Sequence, residues 1–208
     1  MIWFHIQMIS VRTLRTENHF INVRKDCFGN NSTMEEKDIL KLQQYIGKRP
    51  QGQTDEQVLE RLEKEDAKHH FTSVEWAKFL FPLCANAQSE LFMKILERTN
   101  LNCEDATTLI EHTVRFRQHP GYPEKEHEQV AILQKLLQHI TDDCRQVVLN
   151  NALINSAWFG EYELAKYLIA QGADLNVKSM DRSIEDLAQR AAEQFGDSRV
   201  LDMVKEHI

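Results

Sequence analysis

From residue 34 onward, apolar residues recur at spacings of three and four, the signature of short amphipathic helices. The first carries Ile39, Leu40, Leu42 and Ile46 and stops near Gly47. It opens on Thr33-Met34-Glu35-Glu36, a capping box in which a hydroxyl and a glutamate three residues on satisfy each other's backbone N–H groups. After a loop over 48–53 (KRPQGQ), Thr54-Asp55-Glu56-Gln57 repeats the device and leads a helix with Val58, Leu59 and Leu62. Glu60, Glu63, Lys64, Glu65 and Lys68 form its solvated side, with some i,i+4 charge pairing. Two such helices cannot bury their apolar stripes alone, so 34–72 is expected to dock as a helical cap on the chain beyond residue 73.

From residue 73 the same periodicity resolves into four helix pairs, predicted at 74–87 with 89–98, 106–118 with 127–140, 145–159 with 162–170, and 183–195 with 198–207. The second helices align on Leu96, Leu137, Leu168 and Val204, at intervals of 41, 31 and 36 residues. The longest interval contains 119–126 (HPGYPEKE), whose two prolines and glycine read as a loop inserted between the helices of the second pair.

Residues 160–176, GEYELAKYLIAQGADLN, open after Gly160 and place Leu164, Leu168 and Ile169 on one helix face. They stop at Gly172 and continue as Ala173-Asp174-Leu175-Asn176. This stretch resembles the second helix and outgoing turn of an ankyrin repeat, G-H-x-x-x-V-x-x-L-L-x-x-G-A-D-x-N. Upstream, Ser156-Ala157-Trp158-Phe159-Gly160 is similar to the family's A-A-x-x-G. The preceding Asn151–Asn155 run keeps only Leu153 of T-P-L-H-L, and Glu161 replaces the family histidine. Ser183-Ile184-Glu185-Asp186-Leu187-Ala188 resembles the start of a closing repeat. The resemblance spans about 73–208, is clearest over 149–208, and implies an all-α fold: an ankyrin-like helical repeat stack of about four helix pairs with short hairpin turns, plus the N-terminal helical cap.

Composition agrees with a helical, soluble, globular chain: 208 residues, 42% hydrophobic and 27% charged, with only 7 Gly and 4 Pro. A net charge of −7 and the lack of any Lys/Arg run argue against nucleic acid and anionic membranes as partners. The N-terminal run 1–10 (MIWFHIQMIS) is apolar, but its first arginines, Arg12 and Arg15, come after it, the reverse of a secretory signal. Residues 1–33 read as an irregular extension. One reading places the natural start at Met34, with the preceding residues a translated upstream region. Cys27, Cys84, Cys103 and Cys144 lie far apart with no CxxC, which predicts structural thiols in a reducing, cytoplasmic setting. The nine histidines include His112, His119 and His127 among glutamates, and the adjacent His69 and His70, but no zinc-type spacing. No metal or cofactor is expected. There is no G-x-S-x-G, Gly-rich phosphate loop or H-E-x-x-H, and Cys84 sits in the apolar run Phe81-Pro82-Leu83-Cys84, so an enzyme is not expected.

The resemblance instead implies a monomeric protein–protein interaction module: an adaptor, scaffold or inhibitor. An ankyrin stack binds through its concave face, built from hairpin tips and the exposed ends of first helices. Carried over by position, that face takes Trp158 and Phe159, extended by Tyr162 and rimmed by Lys178, Ser179, Met180, Asp181 and Arg182. Tyr122, between prolines in the insertion, is a second candidate anchor. The alternatives are a secreted bacterial effector acting on a host protein in the host cytosol, and an enzyme with an ankyrin tail whose polar pocket would fall within 34–120.

Overall fold

The computed structural model describes residues 34–48, 52–115 and 123–207. Within them the protein is all-helical apart from one short hairpin. The helices are α1 (Glu36–Lys48), α2 (Asp55–His69), α3 (Ser73–Ala85), α4 (Ser89–Leu96), α5 (Cys103–Thr113), α6 (Glu126–Leu136), α7 (Asp142–Phe159), α8 (Tyr162–Ala170), α9 (Ile184–Phe195) and α10 (Arg199–His207). Strands β1 (Lys178–Ser179) and β2 (Arg182–Ser183) lie between α8 and α9. The Thr33 capping box and residues 1–33 lie outside the described residues.

The packing sorts the helices into two series. Along one, α1, α3, α5, α7 and α9 each pack on the next; along the other, α2, α4, α6, α8 and α10 do the same. Across the series, α3 packs on α4, α5 on α6, α7 on α8 and α9 on α10. The first two helices are linked by the Arg61 guanidinium, 3.9 Å above the Tyr45 ring. Each helix turns one stripe inward: Ile184, Leu187, Ala188 and Ala191 on α9, and Val200, Leu201, Met203 and Val204 on α10. The stripes merge into one core running from Ile39 to Val204, with Phe79, Leu91 and Ile132 fully buried in its middle. Each such side chain contributes about 1.5–3 kcal/mol on burial.

Polar caps set the element boundaries. Thr54 with Gln57 forms the capping box expected there, and Thr72–Glu75 and Ser183–Asp186 form two more. Two helices start earlier than their apolar periodicity predicts. Asn102 caps α5 by accepting from the Asp105 N–H at 2.8 Å, so that the helix starts at Cys103, three residues ahead of the expected Ala106, and α7 begins at Asp142 rather than Arg145 with no side-chain cap. The helix expected over 127–140 ends at Leu136, and a 3₁₀ turn, Leu137–His139, completes the segment.

Glycines end α7 and α8 in the same way. Gly160 (φ 68°) lets the Glu161 N–H reach Ser156 O at 2.9 Å and its own N–H reach Ala157 O at 3.3 Å. Gly172 (φ 92°) does likewise, with Ala173 N–H to Leu168 O and Gly172 N–H to Ile169 O, both at 3.0 Å. These are Schellman stops, which need the left-handed backbone that glycine adopts freely. The turn after Gly172 is tied back to α7: Asn150 Oδ1 accepts from the Asp174 N–H, and Gln146 Nε2 donates to Gly172 O.

Glu75 is the most heavily used buried polar group. Its Oε1 accepts from the Met34 N–H at 2.8 Å, and its Oε2 accepts from the Thr72 N–H at 2.8 Å and hydroxyl at 2.9 Å. Glu75→Ala orphans these donors and is expected to cost about 2–3 kcal/mol, read as a lower urea midpoint at unchanged slope. A pH effect arises from Asp186, whose pKa is lowered first by the Ser183 hydroxyl and then by the Ser183 backbone N–H. A depressed folded-state pKa stabilises above the ordinary aspartate range and loses that effect as pH falls through the folded value. Asp186→Asn should therefore melt below wild type near neutrality, with the gap closing in acid.

Candidate functional site

The β1–β2 hairpin pairs Lys178 with Ser183 and Ser179 with Arg182, leaving a two-residue loop of Met180 and Asp181. Both loop residues have positive φ, 50° and 64°. This is the requirement of a type I′ turn, whose twist matches the strands and which favours Asn-Gly. Here a long apolar side chain occupies the first position and is 92% exposed. The Ser183 capping box joins β2 directly to α9, so the loop projects from a fixed base. Lys178, Asp181 and Arg182 are exposed around it, and Ser179 is half-buried.

Trp158 lies in the last turn of α7, half-buried against the core. Arg190 of α9 stacks 4.1 Å from its ring centroid, and Arg182 of the hairpin lies 5.9 Å away. Val147, Asn151, Ile154 and Trp158 succeed one another at spacings of four, three and four, so they share one face of α7. Val147 on that face is 61% exposed. Phe159 is half-buried beside Gly160.

Tyr162 meets different neighbours. Its ring stacks with Arg199 of α10 at 5.1 Å and Lys166 at 5.7 Å. It lines a cleft of about 550 Å³ with Ile169 and Met203, between α8 and α10. The Gly160 stop turns the chain into the other helix series, and so Trp158 joins the hairpin while Tyr162 joins α10. Tyr122 lies outside the described residues. Arg190, which no sequence motif singles out, covers Trp158 more closely than Arg182 of the expected rim does, because α9 packs on α7.

A second, polar cleft of about 490 Å³ opens at the starts of α2, α4 and α6, lined by Asp55, Glu56, Ser89, Glu90, His127 and Glu128 among others. Its Glu56 is held down to about 2, first by the hydrogen bond from Lys94, then by its own backbone and by Thr54. A carboxylate that acidic does not exchange protons readily near neutrality. Glu128 Oε2 accepts from the Ser89 N–H and hydroxyl at 3.3 and 3.4 Å.

Two of the cysteines expected to stand apart are neighbours. Cys103 Sγ and Cys144 Sγ lie 2.7 Å apart, because α5 and α7 are adjacent in their series. Cys84 is buried, and loss of solvation pushes its thiol up to about 12. Cys27 lies outside the described residues, as does His119. The His112 ring packs edge-on to Phe81, with centroids 4.1 Å apart. Among the described residues no cluster of three or more His, Cys, Asp or Glu is placed to hold a metal ion, and no helix is long and apolar enough to cross a membrane.

No protein-family model, curated protein or solved structure matches the chain.

The Met180–Asp181 loop holds two L-residues where glycine or asparagine is cheaper. Replacing both (Met180→Asn with Asp181→Gly) is expected to stabilise the fold by about 1 kcal/mol, raising the melting temperature by about 2–4 °C. A differential scanning calorimetry comparison with wild type reads this directly.

Proposed function

We propose that the chain is an ankyrin-like repeat protein that binds a protein partner along the edge made by the β1–β2 hairpin and the C-terminal half of α7. The two series of paired helices, the glycine stops after α7 and α8, and the hairpin before α9 all support the repeat reading. The observation that carries the binding reading is Met180. A large apolar side chain, 92% exposed, is held on a two-residue turn of unfavourable backbone conformation. Local strain at an exposed apolar residue contributes nothing to the core, and such strain concentrates at recognition sites.

The chemistry of the edge defines the partner. Met180 and the accessible part of Trp158 supply apolar contact, and Lys178, Arg182 and Arg190 supply three cations, with Asp181 in the loop and Asp186 at the start of α9 as the anions among them. A protein surface offering an apolar pocket rimmed by carboxylates is complementary to this arrangement. The molecule itself carries net charge −7, so long-range attraction does not select the partner; contact at the edge does. In this reading Tyr162 serves the α8–α10 packing.

The test is quantitative affinity capture with the folded chain as bait, then titration of the captured partner. Met180→Asp combined with Trp158→Ala is expected to weaken binding at least tenfold, the size of a lost hot spot. Tyr162→Ala should leave it within twofold. A double variant with wild-type circular dichroism and undiminished affinity would exclude this edge.

A further inference from the structure

Cys103 is the first residue of α5, and Cys144 sits in the first turn of α7. They are 41 residues apart in sequence, yet their sulfurs are 2.7 Å apart. Thr141 closes the cluster: its hydroxyl lies 3.2 Å from Cys144 Sγ and donates to Cys103 Sγ at 3.7 Å, while Cys144 Sγ donates to Thr141 O at 3.5 Å. Both cysteines are half-buried, unlike Cys84, which is sealed in the core. We propose that Cys103 and Cys144 form a reversible disulfide, a redox modification site that clamps α5 to α7.

The sulfurs need to approach by only about 0.7 Å to reach the bonding distance of ~2.05 Å. A thiol–disulfide exchange with a low-molecular-weight disulfide such as oxidised glutathione supplies the oxidant. The Cys103 thiolate attacks one glutathione sulfur, forming a mixed disulfide and expelling a glutathione thiolate. The Cys144 thiolate then attacks Cys103 Sγ, closes the bridge and expels the second glutathione thiolate. Two cysteine thiols lose two electrons and two protons. One oxidised glutathione takes both electrons, and its two thiolates take up the protons.

Cys103 opens α5, where the backbone N–H groups favour a thiolate. The Cys103 thiol is held below its ordinary range, first by the contact with Cys144 and then by the backbone and hydroxyl of Thr141. Glu104, Asp105, Asp142 and Asp143 flank the pair and oppose that ionisation. The advantage of this pair therefore lies in the second step, where the resolving sulfur is already in place.

The consequence for the fold is local. A bridge at the starts of α5 and α7 fixes the 97–102 and 140–141 connections against each other. Its formation does not depend on what partner the protein binds.

The test uses the full chain equilibrated in glutathione redox buffers, acid-quenched, and read by intact mass and peptide mapping. The expected product has lost two hydrogens and yields a peptide pair linking Cys103 to Cys144, and reductant restores the free thiols. The closure constant should be about 100-fold higher in the folded chain than in urea, the linkage expected for a bridge that stabilises the fold while closing a 41-residue separation. Cys103→Ser and Cys144→Ser should each abolish the linked peptide and accumulate a glutathione adduct on the remaining thiol. Glutathione adducts on the wild-type chain without closure, a bridge through Cys27 or Cys84, or equal closure constants folded and in urea would each overturn the proposal.

Discussion

Among the described residues no helix can hide its own apolar stripe, and that shared need for cover organises their packing. Helices of eight to eighteen residues are at the edge of independent stability in water. Each gains its stability from the helix beside it in the series and the one across the pair. Phe92 of α4, Leu109 of α5 and Leu168 of α8 are fully buried because neighbours along the series and across the pair converge on each position. The polar devices act within this constraint. Capping boxes at Thr54, Thr72 and Ser183 fix where a stripe begins, and the glycine stops fix where it ends, so adjoining stripes meet in register.

Periodicity of three and four makes the helices legible from the chain, and Gly160 and Gly172 make their stops legible. The limits are equally physical. The starts at Asn102 and Thr141 escape the pattern because apolar spacing reports burial, and the first turns there carry Glu104, Asp105, Asp142 and Asp143. The Cys103–Cys144 contact crosses 41 residues and exists only because α5 lies on α7, a fact no local pattern encodes. Strands of two residues are too short to show alternation, so only a hairpin could be expected at 178–182.

The candidate edge is legible in part. Trp158, Arg182 and Met180 all stand out in the sequence, the first by its place in an A-A-x-x-G-like run and the others as residues of a loop. Their assembly is not legible, because Arg190 stacks on Trp158 from the next helix of the series. Proximity in sequence groups Tyr162 with Trp158, and the fold separates them. The left-handed residue between them sends the two rings to different helices, Trp158 towards α9 and Tyr162 towards α10.

Outside the ion pair between Arg199 and Glu126, the extensive contacts join only neighbours in a series or a pair. Such a molecule behaves less like a lever than like a row of leaning books. The extensive contacts of the hairpin edge and those of α1–α2 share no helix. A substitution at one end of the row therefore meets a different set of packing neighbours from one at the other end.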